Sequence, residues 1–303
     1  PEMAAAVSNS VEGEALMPRF VVGPAALVCA AVLIALAALG PLGLGEIQYR
    51  ASQSGVWQIE GADIVNLVLV APILLIGGVL HILGRDSSKY FLILTPIVLM
   101  YTGLTLGIGQ EWSNPEYTGN PEQYIWLFLV LVIGGLVTLV GVLPLFTEKD
   151  APEFKTRGLR IYVAVMSLFL LMFAYMWVSE MAVVASTGDT ASGSYSAAPT
   201  TFWTIKFLDV GITIPLGFIA LALLLTKPKR AYSMVLLFFG FFVTLGSAVL
   251  SMGIVMTVNN DPEAQAGALP IFGVLAVLSY AGLLYLVRSK LSLWFASALH
   301  RGG

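Results

Sequence analysis

Eight long apolar stretches alternate with short polar segments along the chain, at roughly 19–44, 64–84, 90–109, 123–146, 160–186, 202–226, 231–257 and 269–289. Each is long enough for a helix to cross a hydrocarbon core of about 30 Å. The pattern predicts an all-α, polytopic membrane protein with eight transmembrane helices. The first stretch has a long uncharged body rather than a short signal-like core, so it reads as a retained helix. The start at Pro1 rather than Met reads either as processing or as an arbitrary boundary of the sequence, and no inference rests on it.

Composition moves the same way. Apolar residues make up 58% of the 303 positions and charged residues only 11%, against about 25% charged in a soluble domain. So few charges cannot cover a water-facing surface, and the lipid bilayer is the expected partner and solvent. Nucleic acid is not an expected partner. Cys29 is alone, which excludes an intrachain disulfide and a Cys-based metal site. The two histidines, His81 inside an apolar run and His300 in the C-terminal tail, are too few and too distant for paired haem ligation. No cofactor is expected.

The net charge of −3 conceals an asymmetry. All of the fifteen basic residues except Arg50 and Lys206 fall at one end of the helices. The positive-inside rule puts that end, with both termini, in the cytoplasm of a cell-membrane protein. The opposite loops, 45–62, 110–122, 187–201 and 258–268, are acidic: Glu46, Glu60, Asp63, Glu111, Glu116, Glu122, Asp189, Asp261 and Glu263. Trp57, Trp112, Trp126, Trp177 and Trp203 lie near the same end, as an interfacial aromatic belt requires. None of these loops is long enough to fold separately.

The two halves resemble each other at an offset of about 142 residues. Asp63-x2-Asn66-x5-Pro72 in the second helix matches Lys206-x2-Asp209-x5-Pro215 in the sixth. A short basic turn and a Tyr follow each, and Asn120-Pro121-Glu122 matches Asp261-Pro262-Glu263. The order of these landmarks predicts a 4+4 internal duplication. With an even number of helices per repeat the halves share orientation, a parallel repeat about an axis along the membrane normal. The expected organisation is a polar N-tail, 1–18; a four-helix repeat, 19–147; a solvated connecting loop, 148–159; a second repeat, 160–290; and a C-tail, 291–303. The N-tail alone lacks the apolar content to fold.

Ionisable groups inside a span cost about 2.5–3.5 kcal/mol each at the helix centre. Lys206 and Asp209 sit in the outer half of the sixth helix, Asp209 about 12 Å in at about 1.5 Å per residue. Their i,i+3 spacing puts them on one face. Two readings are open. In one, Lys206 and Asp209 form a local ion pair that fixes a helix in place. In the other, Asp63, Asn66, Lys206 and Asp209, with Glu180 nearby, converge on an outward-facing polar site between the halves. Pro72 and Pro215 lie six residues beyond Asn66 and Asp209 and each frees a carbonyl. His81 reads as a packing residue. Gly103 with Gly107, and Ser247 with Ser251, read as close-contact pairs.

No Walker loop, dinucleotide fingerprint, HExxH or nucleophile elbow is present. Three functions compete: a transport or solute-binding protein using the polar cluster, a non-catalytic accessory subunit of a larger membrane complex, and, least supported, an outer-leaflet enzyme. The last has carboxylates but no His, Cys or recognisable nucleophile near the outer face.

Overall fold

The computed structural model describes residues 15–188, 193–264 and 269–299, the side chains of 193, 194 and 291–299 apart. Asp189, His300 and the first fourteen residues of the N-tail lie outside the described residues. Among those described there are eight helices long and apolar enough to cross a membrane: α1 (Arg19–Leu39), α2 (Gln53–Ile82), α3 (Ser88–Ile108), α4 (Pro121–Leu145), α5 (Thr156–Thr187), α6 (Pro199–Thr226), α7 (Tyr232–Val258) and α8 (Leu269–Lys290). The chain is a multi-pass integral membrane protein. Helix α8 continues past its apolar span to Leu299.

One boundary differs from the hydropathy reading. Helix α2 begins at Gln53, well before the apolar run at 64. Ser52 starts it, its Oγ accepting the Gly55 N–H at 3.1 Å, a helix N-cap. The first turns carry Gln53, Gln58, Glu60 and Asp63, and these polar residues hide the helix from a hydropathy criterion.

Helix α7 is the most buried span, while α5 and α8 are the least buried. The contacts form a crossed pattern. The first part of α2 packs along α7, and the first part of α6 packs against α3. Helices α3 and α7 touch each other, α3 pairs with α4, and α7 pairs with α8. Helix α1 packs on α2 and α4, and α5 on α6 and, more lightly, on α8. Small residues permit the closest approaches. A Cβ on Gly61 of α2 would lie 2.5 Å from the Met252 Cα of α7. On Gly103 of α3 it would lie 2.6 Å from the Phe128 carbonyl of α4. Ser247 instead hydrogen-bonds the Val243 carbonyl at 2.7 Å and the Tyr280 hydroxyl of α8 at 3.0 Å.

Helices α2 and α6 share an irregularity. Each opens into a single π turn, Asn66–Val70 and Asp209–Thr213, immediately before Pro72 and Pro215. In these turns the Ala71 N–H donates to the Asn66 carbonyl and the Ile214 N–H to the Asp209 carbonyl. A proline has no N–H and its ring crowds the carbonyl four residues back. One extra residue in the preceding turn widens the helix there and accommodates that crowding.

At the basic end most of the connecting loop is exposed, and one buried residue anchors it. Asp150 is buried and accepts from the Tyr90 hydroxyl at 2.9 Å and the Thr147 N–H at 2.9 Å. Lys89 lies 3.0 Å and Lys290 3.6 Å from the same carboxylate. Burial opposes its ionisation, but the Thr147 N–H, Lys89 and Tyr90 together outweigh it and hold the carboxyl below its ordinary value. His81 packs as expected and hydrogen-bonds Ser88 at 3.1 Å.

Candidate functional site

A cavity of about 380 Å³ lies between α2, α3, α5, α6, α7 and α8. Asp63, Asn66, Glu180, Lys206 and Asp209 all line it. Asp63, Asn66, Lys206 and Asp209 are each buried. Most of the remaining wall is aliphatic, aromatic or Met, with Tyr101, Thr102, Thr105 and Gln110 adding hydroxyls and an amide from α3 and the loop after it. An apolar cavity with a few convergent polar groups is the usual form of a small-molecule site.

The π turns aim the polar residues. Asn66 and Asp209 are the first residues of their turns, and Asp63 and Lys206 lie one turn earlier on the same face. Asp209 has three donors. The Tyr101 hydroxyl reaches Oδ1 at 2.9 Å, the Trp177 indole N–H reaches Oδ2 at 2.8 Å, and the Thr213 hydroxyl reaches Oδ1 at 3.4 Å. Lys206 does not pair with Asp209. Its Nζ lies 2.7 Å from Glu180 Oε2 on α5 and 3.2 Å from the centroid of the Trp177 ring. Trp177 therefore stands between the two charges, offering its π face to the ammonium and its N–H to the carboxylate.

Asp63 is served differently. Its Oδ1 accepts from the Asn66 amide at 3.5 Å, at the limit of a hydrogen bond. Its Oδ2 is buried and has no hydrogen-bond partner among the described residues. The Tyr49 hydroxyl, in the loop after α1, is also buried with no partner among the described residues. Burial pushes that hydroxyl's pKa up, and the Asp63 carboxylate adds to the effect.

The five polar residues that the sequence singles out all line this cavity, but their partners are not legible in it. It does not single out Tyr101, although a hydroxyl within an apolar run needs a partner when buried. It reads Trp177 as part of an interfacial belt. Glu111, a solvent-facing acid on that reading, is buried and accepts the Thr201 N–H at 2.9 Å, satisfying an orphan donor in the first turn of α6. Among the described residues no group of His, Cys, Asp and Glu is arranged to hold a metal ion. No protein-family model, no curated protein and no solved structure matches the chain.

Proposed function

We propose that the chain is a transport or solute-binding protein of the cell membrane, whose ligand occupies the cavity between α2, α3, α6 and α7 and enters from the acidic, outer end. One observation carries this reading: three buried ionisable residues, Asp63, Lys206 and Asp209, from two different helices, line a single cavity. Residues with only a structural role would be expected to pair within close-packed helices. Clustering of the basic residues at the opposite end supports cytoplasmic termini.

The internal duplication belongs to the same proposal. The π turns of α2 and α6 recur at the interval that separates Pro72 from Pro215. Exchanging α1–α4 for α5–α8 also maps the contact pattern onto itself, α2 with α7 becoming α6 with α3. The cavity would then lie across a pseudo-twofold axis running between α3 and α7.

The second reading, an accessory subunit, draws on α5 and α8, whose poorly buried faces leave room for a neighbouring membrane protein. Thiol labelling separates the two. In a Cys29→Ala background, Thr102→Cys and Met252→Cys should react with a membrane-impermeant maleimide added outside intact cells. Positions 86–88 should react only after permeabilisation. Protection of both cavity positions, alongside free labelling at 52–56, would leave the accessory reading standing.

A further inference from the structure

The cavity is electrically unbalanced. Among the described residues Asp63, Glu180, Asp209 and Glu263 line it, against the single cation Lys206. Lys206 is already committed to Glu180 and to the Trp177 face. Asp209 is held by neutral donors from three residues. Asp63 is not satisfied: it is 3% exposed, its contact with Asn66 is long, and Oδ2 has no partner among the described residues. A carboxylate kept from water and left unpaired costs several kcal/mol. Oδ2 itself is closed off against Gly40 at the end of α1, so a positive charge in the cavity offsets that cost through its attraction for the whole carboxylate rather than by contact with Oδ2.

The walls restrict which positive charge fits. Tyr101, Phe173, Trp177, Phe202 and Phe272 all line the cavity. Aromatic faces attract cations through their quadrupole, and more strongly when water is excluded. Lys206 already shows the preference, its Nζ lying 3.2 Å from the Trp177 centroid and 4.7 Å from that of Phe202. A volume of about 380 Å³ lies in the range of about 300–1,000 Å³ used for drug-sized organic ligands. A bare metal ion would leave most of it empty and its apolar wall uncovered.

We infer that the cavity takes an organic ammonium cation with an apolar or aromatic body, its charge set against Asp63 and its body against the aromatic wall. This inference rests on the reading of the cavity as a ligand site. It adds the sign of the ligand's charge and the character of its body.

The test uses the full chain in lipid nanodiscs and three probes of similar size. These are benzyltrimethylammonium, its uncharged isostere neopentylbenzene, and benzenesulfonate, with binding followed by calorimetry and by Trp emission. The cation should bind saturably and at least about tenfold more tightly than the isostere, and the sulfonate should not bind. Asp63→Asn should weaken the cation by about tenfold or more, through loss of coulombic attraction, while leaving the isostere unchanged. Glu263→Gln, on the loop before α8, should weaken it by about two- to threefold. If Asp63→Asn does not fold, the comparison of cation with isostere on the unaltered protein decides. Equal binding of the isostere, or an open cavity by maleimide labelling with no saturable cation binding, overturns the inference and leaves the site reading intact. Failure of that labelling removes the site reading itself.

Discussion

Lys206 of α6 pairs with Glu180 of α5 at 2.7 Å, so the ion pair joins two helices instead of closing within one. The two partners differ in exposure: the Lys206 side chain is 5% exposed and that of Glu180 33%. Removing Glu180 strands a buried ammonium, whereas removing Lys206 leaves a carboxylate that water can reach. Glu180→Gln should therefore lower stability by about 1–3 kcal/mol, and Lys206→Met by less. The double variant should recover most of the Glu180→Gln loss. Unfolding in detergent measures this, and additive losses would show that the pair is not energetically coupled.

The π turn of α2 makes a geometric prediction. Val68 lies in it and is 69% exposed, so its deletion takes nothing from the core. A regular helix would then form, and the part of α2 before the turn would rotate by about 100° relative to the part after it. Ala62 lines the cavity. Ala62→Cys, in the Cys29→Ala background, should react with external maleimide in the full-length chain and become unreactive when Val68 is deleted. Unchanged reactivity would mean that the turn does not set the register of Asp63 and Asn66.

Gly61 tests the crossed packing. An added methyl would meet Met252 backbone atoms at 2.5 and 2.6 Å, and backbone cannot step aside as a flexible side chain can. Gly61→Ala should cost about 1–3 kcal/mol by pushing α2 off α7. Gly55→Ala is the control, because its nearest neighbour is the Ala51 side chain at 3.1 Å, and it should be near neutral. Thermal midpoints of the purified variants decide, and equal midpoints would argue against close α2–α7 contact.

Asp150 predicts a pH dependence. Its carboxyl is held below the ordinary 3.8 in the folded protein, so ionisation favours folding. That contribution is fully present above the unfolded value and is lost as pH falls through the lower, folded one. Asp150→Asn should be less stable than the parent at pH 7, and the two should converge as the medium is acidified below about pH 4. A constant gap between their unfolding midpoints at every pH would place the effect elsewhere.

The eight spans are legible in the sequence because the bilayer dictates a length and a hydropathy that few other elements meet. Lys206, Asp209 and Asp63 stand out because a charge in an apolar run is costly. Their partners are not legible. Helical periodicity relates Lys206 only to neighbours on its own helix, which favours Asp209, and the choice of Glu180 depends on how α5 lies against α6. Pro72 and Pro215 are visible as helix irregularities, but the π form of the preceding turns depends on backbone detail that residue spacing does not carry. Asp150 and Glu111 mislead for one reason: a loop position suggests solvent, yet both carboxylates cap backbone that the bundle buries.

The crossed packing has a consequence for how the two ends of the chain can diverge. In a twofold dimer of separate four-helix proteins, every substitution would appear on both sides of the cavity at once. Under the proposed duplication, one continuous chain frees the two sides to change separately. Where α6 carries Lys206 and Asp209, α2 carries Asp63 and Asn66, so an ancestral pair of identical walls would have become one charge-paired wall and one wall with an unmatched carboxylate. Because α2 lies on α7 and α6 on α3, each wall is braced by the opposite half, and neither half could be lost or exchanged without opening the chamber they share.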